Sequence, residues 1–184
     1  MQGAKVRRGG DKNIVLSGFM GTGKTKVGRT VARLAGMAFI DVDEEIEKRS
    51  GMSIPDMFEA LGEPEFRRRE TEAIRDISAH QQTVIATGGG AVVNPENVFL
   101  LKQNGLIVCL TAAVKTILKR VGASGNRPLL KAENPEQRIG ELLTARQSFY
   151  EQADIMVKTD GKSPRTVAEE ILERVAAWDA SGKG

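Results

Sequence analysis

The sequence is short of cysteine, histidine and aromatic residues, and it has no long apolar run. Its 184 residues contain one Cys, one His, one Trp, one Tyr and six Phe. A single cysteine excludes an internal disulfide. Cys109 lies in the apolar run Leu106–Leu110, so packing rather than thiol chemistry is expected of it. His80 falls near an expected helix end, where dipole and capping roles outweigh catalysis. The scattered aromatics offer no stacking platform of the kind single-stranded nucleic acid needs. No apolar run approaches the roughly 20 residues that span a bilayer. The start, MQGAKVRRGGDKN, is basic but lacks the apolar segment of a signal peptide. The expectation is a soluble, cytoplasmic monomer with neither a membrane nor a nucleic-acid partner.

Charge of one sign is also scarce. The formal net charge is +3, from 27 Lys and Arg against 24 Asp and Glu. Residues 1–12 hold Lys5, Arg7, Arg8 and Lys12 against Asp11, so this stretch accounts for the whole surplus and the rest is formally neutral. A binder that worked by neutralising phosphates would carry its excess cations on the folded body. What is present, 40% hydrophobic and 28% charged residues, is ordinary globular material for one core. The expected organisation is a flexible basic tail over 1–12, a single domain over 13–178, and a flexible tail over 179–184.

Short apolar runs alternate with stretches of helical period, the pattern of an α/β protein with a parallel sheet. Strands are expected at Ile14–Ser17, Ala38–Asp41, Thr83–Ala86, Leu106–Leu110 and Ile155–Val157. Helices are expected at Lys24–Ala35, Glu65–Ala79, Glu96–Lys102, Ala113–Lys119, Pro135–Gln152 and Pro164–Trp178, with Trp178 anchoring the last. Pro135 and Pro164 suit first-turn positions, where a missing N–H costs nothing. Gly88–Asn94 and Val121–Asn134 fit no regular element, and irregular stretches inside a compact domain are often binding loops or lids.

Gly18-Phe-Met-Gly-Thr-Gly-Lys24-Thr25 satisfies G-x-x-x-x-G-K-[ST] between a strand and a helix. Its glycines let successive N–H groups turn inward, and the helix start adds the positive end of its dipole. Lys24 can reach the β and γ phosphates, and the Thr25 hydroxyl can ligate Mg²⁺. Gly21, Thr22, Gly23, Lys24, Thr25 and Lys26 form the expected cradle for a nucleoside triphosphate, read as ATP. The guanine-recognition sequence N-K-x-D is absent, and a domain this small has little room for motor machinery.

Asp41 and Asp43 end the second strand two residues apart, and strand alternation puts i and i+2 on one side. In a parallel α/β sheet that end faces the ligand crevice. One carboxylate can hold a Mg²⁺ water while the other orients or deprotonates an acceptor hydroxyl. Asp43 has an equal alternative, capping a helix that starts at Glu44. In Glu65-Phe-Arg67-Arg68-Arg69-Glu70 three successive cations cannot share one helix face, and one can point inward. Arg127 lies in the candidate lid and Arg146 in the helix from Pro135; taken singly, each arginine also reads as solvated surface. A transferring phosphoryl group needs mobile positive charge and an acidic acceptor a planar fork, which suits Arg127 to the first task and Arg67 with Arg146 to the second. Gly88, Gly89 and Gly90 follow the third strand, where a substrate can approach backbone N–H groups; a floppy turn is the alternative.

Taken in order, these elements resemble the shikimate kinase family. The resemblance rests on Gly18-x4-Gly-Lys-Thr25, Phe39-Ile-Asp-x-Asp43, Gly51-Met-Ser-Ile-Pro-Asp-Met-Phe58 and Gly62-Glu-x-x-Phe-Arg67-x-x-Glu70. It continues through Val84-Ile-Ala-Thr-Gly-Gly-Gly90, Arg127-Pro-Leu-Leu130 and Arg146-x-x-x-Tyr150, and spans roughly residues 13–175. It implies a P-loop, three-layer α/β/α fold of the nucleoside-monophosphate-kinase type, with a five-stranded parallel sheet of order 2-3-1-4-5. A substrate-binding segment over about 42–70 and a lid over about 120–134 come with it. The implied activity is ATP-dependent phosphorylation of shikimate at its 3-hydroxyl, in chorismate and aromatic amino-acid biosynthesis. Asp43, Arg67, Gly89 and Arg146 are then implied to bind shikimate, with Gly88 and Gly90 beside them. Thr25 and Asp41 serve Mg²⁺, Lys24 and Arg127 stabilise the phosphoryl group, and Arg120 stacks on adenine. Gluconate or a nucleoside monophosphate as acceptor, or a silent ATP-binding module, are the competing readings. Arg68 and Arg69 have no motif role and could compete with Arg67 for anions.

Overall fold

The computed structural model describes residues 12–122 and 134–181. Arg127, most of the expected lid and both expected tails apart from Lys12 and residues 179–181 lie outside them. Five strands form the sheet: β1 (Asn13–Ser17), β2 (Ala38–Asp41), β3 (Thr83–Ala86), β4 (Gly105–Thr111) and β5 (Ile155–Lys158). All neighbours run parallel and the order is β2-β3-β1-β4-β5. That is the expected 2-3-1-4-5 sheet. The helices among the described residues are α1 (Lys24–Ala35), α2 (Val42–Ser50), α3 (Ile54–Ser78), α4 (Pro95–Asn104), α5 (Val114–Gly122), α6 (Pro135–Tyr150) and α7 (Pro164–Ala180).

The period-two alternation of the strands divides the core into two apolar layers. Ile14 and Leu16 of β1 join Leu106, Val108 and Leu110 of β4 on one face, against Val27 and Val31 of α1 and Val167 and Ile171 of α7. Trp178 packs against the same layer. Val15, Ile107 and Cys109 point the other way, onto Ile46, Met57, Ile74, Leu101, Ile117 and Ile139 from α2 to α6. Cys109 is fully buried, and burial pushes its thiol up to about 11, in keeping with a packing role.

Four expectations change in detail. The segment after β2 contains a separate helix, α2, and its N-cap is Asp41, whose side chain accepts the Asp43 N–H at 3.1 Å. Asp43 is therefore not the cap. Strand alternation does not align the two aspartates either, because the strand ends at Asp41 and Asp43 sits in the first turn of α2. The helix expected from Glu65 begins at Ile54, capped by Ser53, and is broken at Gly62 (φ 80°, ψ 167°) just before Pro64. The recognised part is the second of its two runs. The irregular loop after β3 includes a single 3-10 turn, Ala91–Val93.

Gly18, at the end of β1, is fixed by space as well as by angle. Its φ is +127°, and a Cβ there would lie 2.2 Å from the Leu110 carbonyl oxygen. Gly18→Ala is expected to cost about 3 kcal/mol or more, from a strained backbone and an overpacked strand end. It should also weaken ATP binding at least about tenfold. A melting temperature within about 2 °C of wild type would contradict this account of the loop.

Candidate active site

The starts of six of the described helices differ in one respect. Helices α2, α3, α4, α6 and α7 each open with a side chain accepting a backbone N–H, from Asp41, Ser53, Asn94, Asn134 and Ser163. Helix α1 opens at Gly23 with no side-chain cap and no acidic residue in its first turn. Its N–H groups and positive dipole end are left for an anion, the arrangement that binds phosphate. A cleft of about 550 Å³ lies over this helix start. Gly21, Thr22, Gly23, Lys24, Thr25 and Lys26 line it, with Asp41, Asp43 and Gly89 beyond.

Within the loop, Thr22 is buried and its hydroxyl donates to the Phe19 carbonyl at 2.7 Å. Lys24 Nζ donates to the carbonyls of Gly18 (2.8 Å) and Phe19 (3.0 Å), which stations its charge at the loop's centre. Thr25 Oγ1 donates to Asp41 Oδ2 at 2.7 Å. One hydroxyl and one nearly buried carboxylate thus stand together as hard oxygen donors. Among the described residues no cluster of three or more His, Cys, Asp or Glu could hold a metal ion. Two protein oxygens fit Mg²⁺, which keeps several waters and takes further ligands from substrate phosphates.

The far side of the cleft is built around the glycine triplet. A Cβ on Gly88 would meet both Asp43 Oδ1 and Glu70 Oε1 at 2.8 Å, and one on Gly90 would lie 2.9 Å from Arg67 Nη2. The missing side chains are what let these groups converge. Asp43 Oδ1 and Glu70 Oε1 are both buried without a hydrogen-bond partner. Burial is the main force that raises Asp43 to about 6; Asp41 and Glu70 add to it, and Lys24 opposes it. Glu70 is fully buried, and burial raises it too, against the pull of Arg67. Arg67 Nη1 donates to Glu70 Oε2 at 2.7 Å, and its guanidinium lies over the Phe66 ring. Arg146, on α6, donates to the Gly89 carbonyl at 3.4 Å and lies over the Phe19 ring.

The other arginines are placed differently. Arg68 pairs with Glu65 and Glu72, and Arg69 with Glu65, and both line a separate cavity between α2 and α3 rather than the cleft. Arg120 lines the cleft; it donates to Thr159 Oγ1 and O at 2.9 Å and to the Gly21 and Thr22 carbonyls. It therefore clasps the phosphate loop to the end of β5. Sequence reasoning gave no role to Glu70, Tyr150, Thr159 or Lys162, and gave Pro164 only its first-turn place in the last helix. Glu70 carried a signal in its i+3 spacing from Arg67, whereas Thr159, Lys162 and Pro164 reach the cleft wall through the fold.

The sequence matches the family model described as shikimate kinase over residues 20–176. A shikimate kinase of Thermodesulfovibrio yellowstonii is 51% identical over 162 residues, covering 88% of this chain and 94% of that protein. One of Geobacter sulfurreducens is 48% identical over 160 residues, 87% of this chain and 88% of the other. Among solved structures, a shikimate kinase from Acinetobacter baumannii in complex with shikimate superposes with a TM-score of 0.86 at 42% identity, covering 90% of this chain and 93% of that one. A gluconokinase from Sinorhizobium meliloti, at 17% identity and a TM-score of 0.61 over 93% of this chain and 95% of that one, shares the fold alone. An ATP-dependent kinase fold, an uncapped helix start under a cleft, and two carboxylates and two arginines gathered around one glycine triplet thus meet in one chain, and that chain belongs to the shikimate kinase family.

Proposed function

We propose that this chain transfers the γ-phosphoryl group of ATP to the 3-hydroxyl of shikimate, giving shikimate 3-phosphate and ADP. The observation that carries the reading is the juxtaposition of the acceptor groups with the phosphate loop. Arg67 lies against Gly90, Arg146 on Gly89, and Asp43 against Gly88, while a Cβ on Gly89 would lie 3.2 Å from the Met20 N–H. Two guanidinium groups suit a compact carboxylate better than a nucleotide base.

Each residue's part follows from its surroundings. The loop amides and the start of α1 hold the β and γ phosphates, and Lys24 shifts from the loop carbonyls to the phosphoryl oxygens. Thr25 and Asp41 would hold Mg²⁺, which when bound neutralises phosphate charge. Asp43, raised toward neutral pH and free at Oδ1, accepts the hydroxyl proton or orients the hydroxyl for in-line attack. Arg67 and Arg146 fix the carboxylate. Arg127, which lies outside the described residues, would bring positive charge to the transferring group, and Arg120 would face the adenine.

Product analysis tests this reading. Incubation with ATP, Mg²⁺ and shikimate should yield one phosphate monoester, with ³¹P–¹H coupling to the ring proton at carbon 3, and one ADP per ester. Ester at another position, or ADP without ester, would overturn it.

A further inference from the structure

Tyr150 is the chain's single tyrosine, and the reaction as derived gives it nothing to do. It ends α6, is 6% exposed, and packs its ring into the core layer that holds Cys109 and Ile139. Its hydroxyl nevertheless leaves that apolar layer to donate to the Gly89 carbonyl at 2.7 Å. Burial, the largest influence, raises the phenol further, so it remains an O–H donor at physiological pH.

The carbonyl it holds is a junction. Arg146, one helical turn before Tyr150, donates to the same oxygen at 3.4 Å. The peptide that carries this oxygen joins Gly89 to Gly90, and a Cβ on Gly90 would touch both terminal nitrogens of Arg67, at 2.9 and 3.1 Å. A Cβ on Gly89 would meet the Met20 N–H at 3.2 Å and lie near the Gly18 carbonyl, inside the phosphate loop. One rigid peptide plane therefore separates the two acceptor arginines and leans on the loop that binds the donor. With three glycines in a row this plane has no side chain of its own to fix it.

We propose that Tyr150 is a positioning residue for the acceptor: its hydroxyl locks the Gly89–Gly90 peptide and so sets the spacing of Arg67 and Arg146 for the substrate carboxylate. This rests on the reading of shikimate as acceptor. Arg146 alone cannot do this, because it must turn part of its guanidinium to the substrate while its bond to Gly89 is long. The hydroxyl supplies the short bond, and the Arg146 guanidinium lies within hydrogen-bonding reach of that hydroxyl.

Tyr150→Phe keeps the ring in the core and removes only the donor. With the full chain, ATP and Mg²⁺, the KM for shikimate should rise about tenfold, kcat should fall less than about threefold, and the KM for ATP should stay within about twofold of wild type. Arg146→Lys should raise the shikimate KM by a smaller factor in the Tyr150→Phe background than in wild type, because both residues act on one carbonyl. An unchanged shikimate KM, an equal rise in both KM values, or fully additive effects would overturn the proposal, leaving Tyr150 a packing residue. Wild-type protein that does not turn over shikimate would instead overturn the functional reading, and this inference with it.

Discussion

Asp43→Asn is expected to lose two to four orders of magnitude in kcat, the usual range for a removed general base, while binding ATP normally and melting higher than wild type. The activity loss follows from placement: of the two carboxylates with a buried, unpartnered oxygen beside Gly88, Asp43 lines the cleft over the phosphate loop and Glu70 does not. The gain in stability follows from its ionisation. In the folded chain the group titrates at about 6 against an ordinary 3.8, so between these values the folded state holds a proton that the unfolded state has released. Its favourable contribution is complete below the ordinary value and is lost as pH rises through about 6. At pH 8 the ionised, desolvated carboxylate costs on the order of 2–3 kcal/mol. Asparagine removes that cost and turns an amide donor toward the unpartnered Glu70 Oε1. Melting the nucleotide-free variant and wild type at pH 8 and pH 4 checks the point, since the difference should be clear at the first and close at the second. Near-normal turnover would remove Asp43 from the reaction, and equal melting at pH 8 would show that its burial has no energetic consequence. The same shift predicts that wild-type kcat/KM for shikimate rises with pH through about 6.

Arg67→Ala should act in two places. The shikimate KM is expected to rise about 100-fold or more, since a charge-assisted fork to the carboxylate is lost before the chemical step. Stability at neutral pH should fall by about 2–4 kcal/mol, because Glu70 is left as a buried carboxylate without its cation. Burial already raises Glu70, and without Arg67 it rises further. The variant's deficit is therefore present when Glu70 is ionised and shrinks as pH falls and Glu70 takes a proton. Adding Glu70→Gln should restore much of the stability and none of the acceptor affinity. An unchanged acceptor KM with a weakened ATP site would contradict the placement of Arg67. If the double variant melts no higher than Arg67→Ala, the buried charge is not the cause.

The two chemistries of this site were legible in the sequence to different degrees. The phosphate loop is local: eight consecutive residues, a strand before and a helix after, specify backbone geometry and ligand together. The sheet was legible because each strand is a short apolar run, and the alternation within β1 and β4 carries through to the two core layers. The proposed acceptor side is not local. Asp43 was singled out by a strand-alternation argument that the start of α2 at Val42 removes, and it reaches the cleft because Asp41 caps α2 and turns the next residues toward Gly88. Periodicity did not mark the break at Gly62, because apolar residues, Phe58, Ala60 and Leu61 before it and Phe66 after it, flank it on both sides. Contacts such as Arg120 with Thr159 or Tyr150 with Gly89 join residues 39 and 61 positions apart, and only the closed fold brings them together.

Acceptor competition measured by ADP release tests the central claim most directly. With ATP and Mg²⁺ fixed, the chain should release ADP with shikimate at a kcat/KM at least about 100-fold above that for gluconate or any nucleoside monophosphate, because only a compact carboxylate satisfies Arg67 and Arg146 together. Release that is independent of acceptor, or faster with gluconate or a nucleotide, would contradict the account.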